Sequence, residues 1–296
     1  MMVFAMNNAF RPVILGEVLF DCFPTGEKIL GGAPFNVAWH LQAFGDYPRF
    51  VSRVGNDEMG EEIINAISDW GMDMSSLQID SQHRTGQVEV EFIDDEPHYN
   101  IKPDCAYDFI EKDELGKIEH KGILYHGTLA LRNKKTLHAF HELSENSQLS
   151  IFMDVNLRTP WWKKDQVNRW LKKARWVKLN HDELKDLAST SGNIKQDMAE
   201  FQNEHDLELL ILTLGAEGAM VRTYEGELHS VAPSNATQFV DTVGAGDAFT
   251  AVFLHGLISK WPIVKTLEVA QQFASTVVGI RGATSDDVGF YENFKQ

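Results

Sequence analysis

Blocks of apolar residues separated by polar turns mark most of this chain. The run Val13-Ile14-Leu15-Gly16-Glu17-Val18-Leu19-Phe20-Asp21 starts as an apolar strand and ends on acids. After Gly31-Gly32, the run Ala33-Pro34-Phe35-Asn36-Val37-Ala38-Trp39-His40-Leu41 predicts an apolar helix, with Pro34 suited to its first position. Residues 50–55 read as a short strand, and Asn56-Asp57 caps a helix running to about Trp70. From Ile123 the rhythm is regular. Strands are expected over 123–127, 150–158, 176–180 and 207–213, and helices over 133–147, 161–173 and 181–189. Residues 219–223 and 228–231 make a hairpin. A buried helix follows from Ala248, and a long one runs from Ile263 to about Ile280. Strands alternating with helices predict an α/β fold, with a mostly parallel central sheet and helices on both faces.

Residues 85–102 break this rhythm. Val88, Val90 and Phe92 alternate with Glu89 and Glu91, the period of a half-exposed strand. Asp94-Asp95-Glu96-Pro97 makes a turn, and His98-Tyr99-Asn100-Ile101 starts a return strand. The hairpin is read as part of a small β lid, with residues near 21–30 supplying its other strands. An extra edge hairpin with no lid role would give the same pattern. A single domain over 1–296 is expected, with the lid built from about 17–30 and 85–103.

The net charge of −16 argues against nucleic acid, because no basic face is available to release counterions. Any phosphate site must therefore be built locally, from helix N-termini, a metal and a few placed cations. Two cysteines, Cys22 and Cys105, cannot organise a disulfide scaffold and suit a reducing cytosol. No apolar run approaches the ~18 residues of a membrane span. The first ten residues lack the features of a signal peptide. The expectation is a soluble cytoplasmic protein without a nucleic-acid or membrane partner.

Candidate chemistry gathers around Asp241-Thr242-Val243-Gly244-Ala245-Gly246-Asp247-Ala248-Phe249. A Gly-rich turn opening a helix exposes free N–H groups at its positive end, a site for phosphate. Asp247 would be repelled by that anion, so a base that takes a proton from an attacking hydroxyl explains it better. A helix cap is the competing explanation. Asp21, at the end of its strand, is a candidate for substrate hydroxyls, or it merely starts a turn. Asn36 can offer a donor and an acceptor to a sugar hydroxyl, and Gly31-Gly32 lets a ligand approach the backbone. Asn156 and Arg158 sit at a strand tip, where Arg158 can fork onto phosphate oxygens or pair with a surface acid. Asn180 and Glu183 can face one way and suit a hydrated Mg²⁺, or form a helix-starting box. Thr213-Leu214-Gly215 with Gly218 gives a turn where an adenine or ribose could lie, though such turns also join hairpins. Metalloprotease, paired-cysteine, nucleophile-elbow and Walker motifs are absent.

These motifs together resemble the PfkB (ribokinase-like) carbohydrate kinase family over nearly the whole chain. The stretch from Asp241 to Phe249 matches that family's C-terminal signature. The run Gly31-Gly32-Ala33-Pro34-Phe35-Asn36-Val37-Ala38 matches its N-terminal one, and Asn180-His181-Asp182-Glu183 its N-x-x-E motif. The resemblance implies a ribokinase-like fold, Asp247 as base, and an anion hole of Gly244, Ala245 and Gly246. It implies sugar contacts from Asp21, Gly32 and Asn36, and an Mg²⁺–phosphate role for Asn180 and Glu183. It also implies a K⁺ loop around Asp241, Val243 and the Gly282-Ala283 turn. Within the family the chain is most similar to fructokinases, through the Gly-Ala-Pro run and Asp154-x-Asn156-x-Arg158 followed by Trp162. Two positions depart: Lys102 stands where fructokinases commonly carry Arg near the sugar, and Ser275, after Ala274, sits where an Asn often lies near the adenine. The expectation is ATP-dependent phosphorylation of a sugar's primary hydroxyl, D-fructose first and 2-keto-3-deoxygluconate as the rival. A non-catalytic sugar or nucleotide sensor on the same fold is a further alternative. A homodimer through the lid is also expected.

Overall fold

The apolar strand expected over 13–21 is broken in two at Gly16. Its first half is β1 (Arg11–Leu15) and its second half β2 (Leu19–Cys22), and they belong to different sheets. The computed structural model describes residues 10–93, 96–118, 121–146, 148–233 and 243–295. The remaining strands are β3 (Lys28–Gly31), β4 (Arg49–Gly55), β5 (Leu77–Asp80), β6 (Gly86–Ile93), β7 (Glu96–Ile101) and β8 (Gly122–His126). They continue with β9 (Leu149–Asp154), β10 (Trp176–Asn180), β11 (Leu209–Thr213), β12 (Ala219–Thr223) and β13 (Leu228–Val231). The helices are α1 (Ala33–Phe44), α2 (Glu58–Asp69), α3 (Lys134–Ser144), α4 (Lys164–Leu171), α5 (His181–Leu187), α6 (Ile194–His205), α7 (Ala245–Ile258) and α8 (Ile263–Val277).

The central sheet has the order β13-β12-β11-β10-β9-β8-β1-β4-β5. It is parallel from β11 to β5, and β12 and β13 add antiparallel at one edge. Because side chains alternate along a strand, each strand feeds two cores. Ile14, Phe50, Ile123, Phe152 and Ile211 pack beneath α1, α7 and α8 with Phe35, Phe253 and Phe273. Val13, Leu15, Val51, Leu124, Met153 and Val177 pack on the other face with Phe140, Val167, Leu184 and Phe201 from α3 to α6. Each such side chain contributes roughly 1.5–3 kcal/mol by leaving water.

The second sheet has the order β3-β2-β6-β7, with β2 parallel to β6 and the other pairs antiparallel. Leu19 and Val88 from its inner face pack with Cys105, Tyr107, Leu129 and Ala130. The small sheet is thereby anchored against the body of the protein.

Several elements differ from the sequence expectation. The helix expected over 161–173 starts only at Lys164. The strand expected over 150–158 stops at Asp154, which leaves Asn156 and Arg158 in a loop. β5 and α6 carry no expectation from the sequence. β5 is a short edge strand whose Ile79 is exposed. α6 is mostly polar and anchored by Met198 and Phe201.

Candidate active site

α7 begins against a turn that only glycine can make. Gly244, its N-cap, has φ 81° and no side-chain cap. A Cβ at that position would lie 2.3 Å from Ala283 Cβ. The first N–H groups of α7 are therefore free of side-chain caps. They open on a cavity of about 480 Å³ whose wall includes Val243, Gly244 and Gly246. Asp154, Asn180 and Thr213, the last residues of β9, β10 and β11, supply another part of the wall. This is the carboxyl edge of a parallel sheet, where α/β folds collect their ligands. Leu19, Asp21, Val88, Tyr99 and Ile101 of the small sheet line it as well.

Asp247 and Asn36 meet in this cavity. Asn36 Nδ2 donates to Asp247 Oδ2 at 2.8 Å, joining the first turns of α1 and α7 across 211 positions of sequence. Burial raises the Asp247 carboxyl above its ordinary pKa, and Asp154 adds to the rise, while the Asn36 bond, Lys178 and Arg158 oppose it. A carboxylate held this way is a stronger base than one in water.

The wall beside Asn36 is built around Gly31 and Gly32. Gly32 has φ 108°, and a Cβ there would lie 2.8 Å from the Glu17 carbonyl oxygen. Gly31 is less tightly packed: a Cβ there would make ordinary contacts with Asp21 Oδ2 at 3.8 Å and Asn36 Oδ1 at 4.0 Å. Asp21 reaches this point from β2 in the small sheet. The small sheet was expected to draw on residues 17–30, and the break at Gly16 is what separates β2 from β1 of the central sheet.

Cations line the opposite side. Arg158 is exposed on the cavity wall beside Asn156, whose backbone has φ 40° and whose carbonyl accepts from Thr128 Oγ1 at 3.1 Å. Lys178 is buried on β10 and donates to both Asp154 oxygens, at 3.0 and 2.9 Å. Thr250 Oγ1 donates to Asp154 Oδ2 at 2.8 Å. Burial works against the Lys178 charge, yet the Asp154 carboxylate holds its pKa above the ordinary value. Asn180 and Glu183 form the reciprocal helix-starting box. Asn180 Oδ1 accepts from the Asp182 and Glu183 N–H groups, and Glu183 Oε2 accepts from the Asn180 N–H at 2.8 Å. Glu183 Oε1 accepts from the Leu157 N–H. Burial raises the Glu183 pKa against those bonds.

Six expected residues stand off this wall. Ala245 lies in the first turn of α7 with its side chain outside the lining. Lys102 Nζ pairs with Glu89 at the edge of the small sheet. Gly215 and Gly218 bracket the turn between β11 and β12, and Gly218 packs against the Val231 carbonyl at the end of β13. Ala274 is buried in the core of α8, and Ser275 follows it on the same helix. Asp241 lies outside the described residues. Two lining residues, Lys178 and Glu17, carry no expectation from the sequence. A lysine inside the apolar run Trp176-Val177-Lys178-Leu179 is a signal that could have found the first.

Residues 19–288 match the model of the pfkB family carbohydrate kinases. The chain belongs to this family. A fructokinase of Escherichia coli is 28% identical over 91% of this chain and 94% of its own length. A fructokinase from Vibrio cholerae O395, solved in a fructose-, ADP- and calcium-bound form, shares the fold with TM-score 0.84. It is 24% identical over 98% of this chain and 100% of that one. A double mutant of that fructokinase, solved with fructose, ADP and potassium, is 26% identical with TM-score 0.81, over 97% of this chain and 98% of that one. The pfkB kinase described here is thus a carbohydrate kinase on a ribokinase-like fold. Among its described residues no helix is long and apolar enough to cross a membrane. No group of three or more His, Cys, Asp or Glu that could hold a metal occurs among them either.

Proposed function

We propose that this chain is a fructokinase, transferring the γ-phosphoryl group of ATP to the 6-hydroxyl of D-fructose. The hydrogen bond between Asn36 and Asp247 carries this reading. It joins the wall suited to sugar hydroxyls to the residue that takes the proton, and that residue stands in the first turn of the anion-binding helix. The sugar lies against Asp21, Gly31 and Asn36. Its 6-hydroxyl gives its proton to Asp247 as the oxygen attacks, and the N–H groups from Gly244 to Gly246 hold the phosphoryl oxygens. Arg158 and Lys178 balance the charge that spreads over those oxygens.

Glu183 and Asn180 are suited to Mg²⁺ through water. Each Glu183 oxygen takes one backbone N–H, and both Glu183 and Asn180 line the cavity. Mg²⁺ bound there supplies charge neutralisation on the nucleotide phosphates. A K⁺ beside the turn at Val243 and Ala283 would order the backbone that presents Gly244. Activity in K⁺ that equals activity in Na⁺ would remove this part. The small sheet closes over the sugar, and saturating fructose should protect residues 85–102 from hydrogen exchange. Its exposed edge strand β7, carrying the half-exposed Tyr99, is the face proposed for a homodimer.

2-keto-3-deoxygluconate is the rival substrate, and it needs a cation for its carboxylate. Lys102 is engaged by Glu89, which favours the neutral sugar. ADP release measured over fructose, ribose, adenosine and the keto acid decides between them. Fructose leading in kcat/KM supports the reading, and the keto acid leading defeats it. No ADP release with any sugar would favour a sensor without catalysis.

A further inference from the structure

Two acceptor atoms on the sugar side of the cavity are buried with nothing to accept from. Glu17 is 4% exposed and Asn36 3%, and both line the cavity. Glu17 Oε2 and Asn36 Oδ1 have no hydrogen-bond partner. The orientation of the Asn36 amide is fixed, because its Nδ2 donates to an Asp247 oxygen, which leaves Oδ1 facing the space beside Gly31. Buried acceptors are rarely left unpaired, and a ligand that supplies donors is one reason to keep them so.

We infer that Glu17 is a specificity-determining residue: with Asn36 Oδ1 it demands hydroxyl donors from the sugar and turns away a sugar that carries a carboxylate. This rests on the reading of the cavity as a sugar site. Glu17 leaves β1 just after the Gly16 break, and its carbonyl packs under Gly32, so its backbone is held against the Gly31-Gly32 turn. Asp21 Oδ2 stands beside the same turn, giving this wall three acceptors. The charged groups felt by Glu17 are Arg158 and Arg132, which favour its ionised form, and Asp247, which opposes it. Burial outweighs them and raises its pKa to about 7. Either form keeps a lone pair for a sugar hydroxyl, and only the ionised form repels an acid. A site built to pair particular hydroxyls discriminates by large factors.

The test compares kcat/KM for D-fructose, D-ribose and 2-keto-3-deoxygluconate in the wild type and in Glu17→Gln. The wild type should prefer the better neutral sugar. Glu17→Gln should cut the ratio of neutral sugar to keto acid at least tenfold, with KM for ATP within twofold and Tm at pH 8 no lower. A ratio within threefold of the wild type overturns the inference, as does a wild type that prefers the keto acid. A loss that appears equally in ATP KM and Tm also overturns it, since that would be a structural effect. Should the variant fail to fold, the wild type alone decides. Its neutral-to-acid ratio should rise at least threefold between pH 6 and pH 8.5, a ratio in which the titration of Asp247 cancels. A flat ratio overturns the inference. If ribose beats fructose, the fructokinase reading falls, while the same ratio computed with ribose still judges Glu17.

Discussion

The two sides of the cavity are made of different material. On the side proposed for phosphate the ligand would meet backbone first, the N–H groups opening α7 and the turn at Gly244, with Arg158 and Lys178 also lining the cavity. On the sugar side it would meet side chains: Asp21, Asn36 and Glu17 around the bare Gly31. Backbone amides recognise any phosphate and tolerate drift in neighbouring side chains. Side chains recognise one pattern of hydroxyls and can be exchanged one at a time. The difference teaches that one side is fixed by backbone geometry and the other by individual side chains.

Asp247 stands at the border of the two sides, so removing its carboxylate should stop the step that joins them. Asp247→Asn keeps an oxygen that can accept from Asn36, so the fold and sugar affinity should persist. Loss of the base should lower kcat by about 10²–10⁴-fold. Steady-state kinetics with a sugar-binding titration checks this, and a variant retaining half the wild-type kcat removes Asp247 from its role.

A second prediction concerns the sugar side in the absence of sugar. Glu17 has its pKa raised from 4.5 to about 7 by burial. The folded protein therefore holds a proton that the unfolded chain releases at lower pH. This stabilisation is present below about pH 4.5 and is lost as pH rises to about 7, amounting to roughly 3 kcal/mol. Glu17→Gln does not titrate, so it should match the wild type near pH 4.5 and exceed it in stability at pH 8. Denaturant melts at several pH values check the sign. Equal stability of the two proteins at pH 8 would show that Glu17 is not held in a costly place. No comparable gain is expected from any backbone amide on the phosphate side, which has nothing to titrate.

The same contrast governs how much of the molecule was legible in its sequence. The turn that opens α7 was legible because backbone geometry demands particular residues: only glycine fits against Ala283 at Gly244, so the requirement is written in the letters. The alternating strands and helices were legible for a similar reason, since two buried faces require two interleaved apolar sets. The break at Gly16 was not, because both halves of that run are apolar and only the tertiary fold assigns them to different sheets. Lys178 and Glu17 were missed because single charged residues inside apolar runs look like ordinary irregularities until their neighbours are known. Asn180 and Glu183 show the reverse: two readings fit the spacing, and the helix-starting box is the one whose bonds are formed. Lys102 was placed near the sugar by position in the chain, whereas the strand pairing turns it toward Glu89.

Two glycine substitutions sharpen the comparison at a smaller scale. Gly244→Ala puts a side chain on a left-handed backbone against Ala283, a strain of about 1–3 kcal/mol. It should lower kcat and raise KM for ATP about tenfold, with sugar affinity little changed. Gly31→Ala meets only ordinary contacts with Asp21 and Asn36, so the protein should fold normally. The added methyl fills space meant for the sugar, so KM for fructose should rise about tenfold while KM for ATP stays. The two variants should thus fail in opposite columns of the same kinetic table. If both raise the same KM, the division of the cavity is wrong.

The smallest effect is expected at Lys102. Its ammonium group pairs with Glu89, both side chains are partly exposed, and neither lines the cavity. Exposed pairs of this kind are worth about 0–1 kcal/mol, so Lys102→Met should cost little stability. If the sugar is neutral and is read by Asp21, Asn36 and Glu17, the same substitution should change kcat/KM for fructose less than about threefold, a difference below 1 kcal/mol. If instead the lysine leaves Glu89 to meet a substrate carboxylate, the substitution should abolish turnover of 2-keto-3-deoxygluconate while sparing fructose. Measuring both substrates on this one variant separates a residue that merely ties down the edge of the small sheet from one that selects the sugar. The pairing with Glu89 argues for the first outcome, because moving Lys102 into the cavity would also strand an acidic side chain on an already acidic protein.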